Sequence, residues 1–172
     1  MYEYIASSEK RRAPRLILLF FLGGMALMLL PSVLSVPFQW AFQLVGLCLF
    51  TAAVYLVTRY MAKSFLYRVF PDDDGNMDFS VTELRGKTRC MVCRIGLADI
   101  REAVMVDARS KEEMAEVKKR IKEEKLRCYD YCSDLSPTLS CYLFVREQSG
   151  EPLVIRIMPD EKLFKLLSGE EA

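Results

Sequence analysis

"LILLFFLGGMALMLLPSVLSVPFQWAFQLVGLCLFTAAVYLVT" fills residues 16–58 and holds not one Asp, Glu, Lys or Arg. These 43 uncharged residues decide the architecture. One helix needs roughly 20 apolar residues to cross a bilayer, so the stretch is long enough for two. "PSVLSVP", residues 31–37, sets two prolines and two serines at its middle. That is the composition of a tight turn. The reading is a helix over 16–30 that extends to 34, then a second over 38–58. Trp40 near one end, and Tyr55 and Tyr60 near the other, suit an aromatic belt at the membrane–water boundary. A buried hairpin of a soluble protein is the alternative, but a run this long and apolar all round fits lipid better. A cleaved signal peptide fits poorly. Glu3 and Glu9 precede the run, and a second apolar run follows it at once.

Basic residues set the expected orientation. Lys10, Arg11, Arg12 and Arg15 stand before the run, and Arg59, Lys63 and Arg68 after it. The turn between the helices has none. Both flanks, and so both termini, are therefore expected on the cytoplasmic side of a plasma membrane, with the turn outside. "LGGMA" at 22–26, Gly46 and the pair Ala52–Ala53 supply small residues where the helices can approach. The same residues are also simply common in membrane helices.

The rest of the composition narrows the chemistry. The chain has 172 residues, with 24 Lys and Arg against 23 Asp and Glu and no His. A near-neutral balance gives no sign of a nucleic-acid partner. The missing His removes the commonest general base and the commonest metal ligand.

From residue 66 onward charges become dense, and about a hundred residues suffice for one small core. Strand patterns are expected at 65–70, 77–84, 88–95, 101–107, 126–133, 140–148 and 152–158. "PDDDGN" and "RGK" separate the first three as turns. The period changes at 110–125, where Ser110 with Glu113 makes a capping box and Met114, Val117 and Ile121 form a thin apolar stripe. A last amphipathic helix is expected at 160–169, with Asp160 as its cap, Leu163, Leu166 and Leu167 on one face, and Gly169 at its end. The organisation is thus an N-terminal cytoplasmic segment (1–15), a transmembrane hairpin (16–60) and a mainly β domain (66–172). Seven strands and a closing helix point to a strongly bent sheet or barrel.

This order of elements resembles bacterial membrane proteins that carry two adjacent transmembrane helices and a cytoplasmic pleckstrin-homology-like (PH-like) domain. "RGKTRCMVCRIGLADI", residues 85–100, is similar to a basic turn and strand seen in such domains. The helix at 110–125 departs from the simple seven-strand pattern. The resemblance implies a binding or scaffolding module and carries over no catalytic residues.

The thiols are the rival source of chemistry. Cys90 and Cys93 have C-x-x-C spacing, and Cys128 and Cys132 follow in "CYDYC". Four thiolates can hold zinc if each pair converges. Met91 and Val92 between the first pair form no knuckle, and in a regular strand residues three apart diverge. The expected faces are Met91, Cys93 and Ile95 on one side, Cys90 and Val92 on the other. Cysteine would then act as a small hydrophobe, in a compartment where disulfides are rare. Cys48 is expected as a packing residue within its helix.

Three further groups have two readings each. Asp72, Asp74 and Asp78, with Glu83, have calcium-loop character, against a solvated hairpin turn. Arg85, Lys87 and Arg89 are lipid- or anion-facing candidates, against an ordinary exposed turn. Tyr129, Tyr131, Tyr142 and Phe144 line a groove or belong to the sheet core. The function expected is a non-enzymatic, membrane-anchored binding or scaffolding protein without a cofactor. Its partners are the lipid bilayer and either a membrane protein or a second copy. A metal- or redox-linked sensor or enzyme using the cysteines, and a regulatory subunit of a larger membrane complex, are the rivals.

Overall fold

The computed structural model describes residues 1–6, 13–33, 38–135, 137–146 and 151–169. Lys10, Arg11, Arg12, most of the turn at 31–37 and the end of the strand expected at 140–148 lie outside the described residues. The chain divides into two compact units: residues 9–63, and residues 1–8 together with 64–172.

The first unit is a helical hairpin. Helix α1 spans Ala13–Val33 and α2 spans Gln39–Leu56, continued by a π-helical turn at Val57–Met61. At 1.5 Å per residue α1 is about 31 Å long, close to the roughly 30 Å of a hydrocarbon core. Both helices are long and apolar enough to cross a membrane, and only 11% of either apolar stretch is buried within the protein. Leu18, Leu19, Leu22, Leu29, Phe42, Leu44, Leu47 and Val54 face outward. The helices meet where glycine leaves room. A Cβ on Gly24 would lie 2.9 Å from the Gly46 carbonyl oxygen, and one on Gly46 2.8 Å from that of Gly24. Buried Ala53 and the Phe21–Phe50 ring pair, 5.4 Å between centroids, extend this contact. Cys48 faces outward instead of packing between the helices. Helix α1 runs past Pro31 to Val33, within the extension to 34 expected from the sequence.

Among its described residues the second unit has eight strands in two sheets, where seven strands in a strongly bent sheet or barrel were expected. The additional strand is β1, Tyr2–Ile5, in the segment expected to stand apart as residues 1–15. The other strands are β2 Ser64–Pro71, β3 Met77–Arg85, β4 Thr88–Gly96, β5 Ile100–Asp107, β6 Arg127–Asp130, β7 Leu139–Arg146 and β8 Pro152–Ile157. The first sheet is antiparallel in the order β1-β2-β3-β4. The second runs β5-β7-β8-β6, with β6 parallel to β8. Helix α3, Lys111–Glu123, explains that parallel pair. A chain that leaves β5 must be carried back before it can start β6 in the same direction, and a helix does this.

Alternation along the strands builds the core. Phe65, Tyr67, Val69, Phe79 and Val81 of the first sheet meet Cys141, Leu143, Val145, Ile155 and Ile157 of the second. Helix α4, Glu161–Ser168, adds Leu163 and Leu167. Its start is fixed by the Asp160 carboxylate, which accepts from the Leu163 amide at 2.9 Å, and its end by Gly169 at φ +73°. The outer face of the second sheet carries Val106, Tyr142, Phe144 and Val154 under Val117, Met114 and Ile121 of α3. Ser110 caps α3 by accepting from the Glu113 amide at 3.4 Å. The Glu113 carboxylate reaches back to the amide of Asp107, three residues beyond the partner a capping box gives it.

Candidate functional site

Strand β4 and the turn before it hold most of the residues singled out by sequence. Arg85 pairs with Thr88 across the ladder, leaving Gly86 and Lys87 as a two-residue loop. Gly86 takes φ +57°, the first loop position that a type II′ hairpin reserves for glycine. Arg85 folds back onto the Glu83 carboxylate. Among the described residues Lys87 and Arg89 make no ion pair. No acid lies between Glu83 and Asp99. Register puts this turn at the end of the sheet where the chain leaves the hairpin, because Ser64 pairs with Leu84. The acidic turn after Pro71 is at the opposite end.

β4 is an edge strand, and every residue from Thr88 to Val92 is exposed. Its register slips between Val81 and Thr82: Cys93 faces Val81, but Met91 faces Thr82. One extra residue, Val92, is therefore bulged. The bulge overturns the expected faces. Met91 shares its face with Thr82, while Cys93 and Ile95 pack on the core. Cys90, opposite Glu83, falls on the same side of the sheet as Cys93. The divergence argument, made for a regular strand, does not hold here.

The cysteines are nevertheless spread over both sheets. Cys128 lies on β6, where burial and then the Asp130 charge push its thiol up, partly offset by Arg156. Cys132 is fully buried just beyond β6, its amide donating to Asp130 at 3.0 Å. Burial pushes the Cys141 thiol up to about 12. Among the described residues, no three Cys, Asp or Glu side chains are grouped to hold a metal ion.

The acidic turn is engaged with the protein itself. The Arg94 guanidinium donates to Asp78 at 2.7 Å and to Asp72, and lies 5.3 Å from the Phe70 ring centre. The Asp78 hydrogen bond, more than any other influence, raises the Arg94 pKa. A guanidinium thus holds two of the carboxylates a calcium loop would need. The turn closes through Gly75, whose φ is +81°, and its amide bond to Asp72 O at 3.0 Å.

The four aromatics do not share a groove. Tyr142 and Phe144 are buried on the outer face of the second sheet, where Arg120 sits 4.1 Å over the Phe144 ring. Tyr129, opposite Ile155, and Tyr131 belong to the other side, stacked with 6.5 Å between centroids. Tyr131 donates to the Val92 carbonyl at 3.5 Å, which ties the segment after β6 to the bulge of β4. Burial raises its phenol to about 12.

Sequence reasoning missed the tie between strand β1 and the C-terminal helix. Tyr2 donates to the Asp160 carboxylate that caps α4, and Lys162 lies 5.0 Å from its ring centre. The Asp160 bond is the main reason the Tyr2 phenol rises to about 12. Tyr4 stacks on Tyr67, Glu3 pairs with Arg68 at 2.9 Å, and the Ala6 amide bonds Phe65 O at 3.1 Å. The signal was the alternation in "YEYI", too short to stand out beside polar neighbours. No protein-family model, no curated protein and no solved structure matches the chain.

Proposed function

We propose that this protein is a two-pass membrane-anchored binding module with no reaction of its own. The β unit is held in the cytoplasm of a bacterial cell, against the inner leaflet, and offers a free sheet edge to a partner. The observation that carries this reading is the β1–β2 ladder. Its strands lie on either side of the two apolar helices, so both ends of the hairpin belong to one sheet. Two crossings return the chain to the side it left, which satisfies that ladder; a single crossing would not. Arg15, Arg59 and Lys63 flank the apolar run and favour the cytoplasm for that side.

A PH-like reading of the β unit draws support from two sheets around one core and an amphipathic C-terminal helix packed on that core. The parallel β6–β8 pair and the α3 crossover are its departures from that pattern. Raised thiol pKa values at Cys128 and Cys141 favour packing over nucleophilic or redox work.

Exposed Cys90 reports the side directly. With Cys48 and the likewise exposed Cys128 both changed to serine, a membrane-impermeant maleimide should leave Cys90 unlabelled in intact spheroplasts and label it after permeabilisation. Labelling before permeabilisation would place the β unit outside and refute the reading.

A further inference from the structure

We propose that the free edge of β4, from Thr88 to Met91, accepts an extended acidic segment of a partner protein as a fifth strand of the first sheet. The proposal rests on the anchored-module reading and names the partner's chemistry.

The four sheet edges differ. The β5 edge is bulged at Ile100–Glu102, and Arg120 of α3 reaches across to Glu102 at 2.6 Å. Strands β1 and β6 each carry an acid, Glu3 and Asp130, that an acidic segment would meet. β4 has nine residues, none of them acidic, and its first five are exposed. An edge strand presents unpaired amides and carbonyls to any extended chain that can approach. Here the approach is limited on one side. The bulge at Val92, with the Tyr131 hydroxyl on its carbonyl, ends the open stretch after Met91.

Charge selects the occupant. Lys87 and Arg89 carry the uncompensated charge, since Arg85 and Arg94 already hold carboxylates. A second copy pairing edge to edge would bring like charges together, and a basic segment would be repelled. Arg89, opposite Leu84, and Met91, opposite Thr82, lie on one face two residues apart. Met91 is 54% exposed. The matching segment alternates an acid and an apolar residue at every second position. Backbone bonds to β4 then give affinity, and those two side chains give register.

The test uses the full chain in nanodiscs of zwitterionic lipid. The probe is a fluorescent octapeptide with glutamate and valine alternating at every second position, separated by serine. Binding is read by anisotropy, and its place by hydrogen exchange. The probe is expected to bind and to slow exchange at residues 88–91. Lys87→Glu with Arg89→Glu should weaken it tenfold or more, about 1.4 kcal/mol, with exchange in α3 and α4 unchanged. Lysine in place of glutamate, or N-methylation of the probe backbone, should abolish binding. No binding at 1 mM, protection elsewhere, or an N-methylated probe that binds equally well would each overturn the proposal. So would nanodiscs of anionic lipid that slow exchange at 88–91 without peptide, which would assign the cations to headgroups. Loss of the anchored reading shows separately, as failure to enter nanodiscs or as Cys90 labelling in intact spheroplasts.

Discussion

Deleting residues 7–64 and joining Ala6 to Phe65 through an asparagine–glycine pair should give a soluble, folded β unit. The Ala6 amide already bonds Phe65 O at 3.1 Å, and Ile5 pairs with Leu66, so the two ends are neighbours in one antiparallel ladder. A two-residue loop of that type closes such a pair. The comparison is with residues 64–172 alone, which lack β1. Ordering the backbone of β1 costs about 1–2 kcal/mol per residue, which its ladder bonds, at about 1 kcal/mol each, largely offset. The side chains then decide. The Tyr2–Asp160 bond contributes about 1–2 kcal/mol after allowance for its exposure. The Tyr4–Tyr67 stack adds about 1 kcal/mol, and the apolar surface of Tyr2, Tyr4 and Ala6 about 2 kcal/mol. Allowing for incomplete offset of the backbone cost, the loss is about 3 kcal/mol, a large share of a small domain's 5–15 kcal/mol. Urea unfolding followed by far-ultraviolet circular dichroism measures it. The spliced chain should unfold cooperatively, and the fragment should unfold at a clearly lower midpoint or be unfolded from the start. Midpoints that agree to within about 0.5 kcal/mol of stability would refute the claim that β1 is integral to the sheet.

Three further outcomes follow from single contacts. Tyr67→Phe removes a hydroxyl that donates to Tyr131 O at 2.8 Å and accepts from the Met158 amide at 3.3 Å; the stranded groups should cost about 2 kcal/mol in urea unfolding, whereas Tyr129→Phe, at a 43% exposed position, should cost almost nothing. Tyr2 and Tyr131 both rise to about 12; an unfolded phenol titrates near 10, so the stability these two add is complete below about pH 10 and is lost as pH climbs through about 12, with the burial-raised Tyr67 phenol acting in the same direction, which phenolate absorbance and unfolding at stepped pH will follow together. Gly46→Val sets a side chain 2.8 Å from the Gly24 carbonyl oxygen and should loosen the hairpin by about 1–3 kcal/mol in detergent titration of the nanodisc-purified chain, while Cys48→Val on the outward face should be neutral.

Elements with a long period were legible in the sequence. Expected helices at 16–34 and 38–58 correspond to Ala13–Val33 and Gln39–Leu56, and Ser110, Asp160 and Gly169 cap as their chemistry dictates. Most strand positions fell within a residue or two. What failed depends on partners far apart in sequence. Tyr2–Ile5 is too short to declare itself, and is a strand only because Leu66–Val69 lies beside it. The Val92 bulge inverts the side of every residue before it, and nothing in "CMVC" marks the slip. The segment 131–133 continues a strand pattern but turns inward, where Cys132 and Ser133 are buried. For the site, Arg85, Lys87 and Arg89 were visible as a basic turn. That Arg85 is compensated and the other two are not follows from the fold alone.

A hairpin loop of two to five residues ordinarily joins neighbouring antiparallel strands. Here the connection from β1 to β2 carries two membrane-length helices instead. A domain hung from one flexible linker can turn freely about it. A domain that sends out both ends of a paired ladder is tethered twice, at strands that a sheet spaces about 5 Å apart. Only Ala62 and Lys63 separate the second tether, at Met61, from β2. Ser64, Leu84 and the basic turn share one end of the first sheet, and the Asp72–Asp74 turn lies at the other. A strand added at Thr88–Met91 would therefore lie at the end of the sheet that Ser64 occupies.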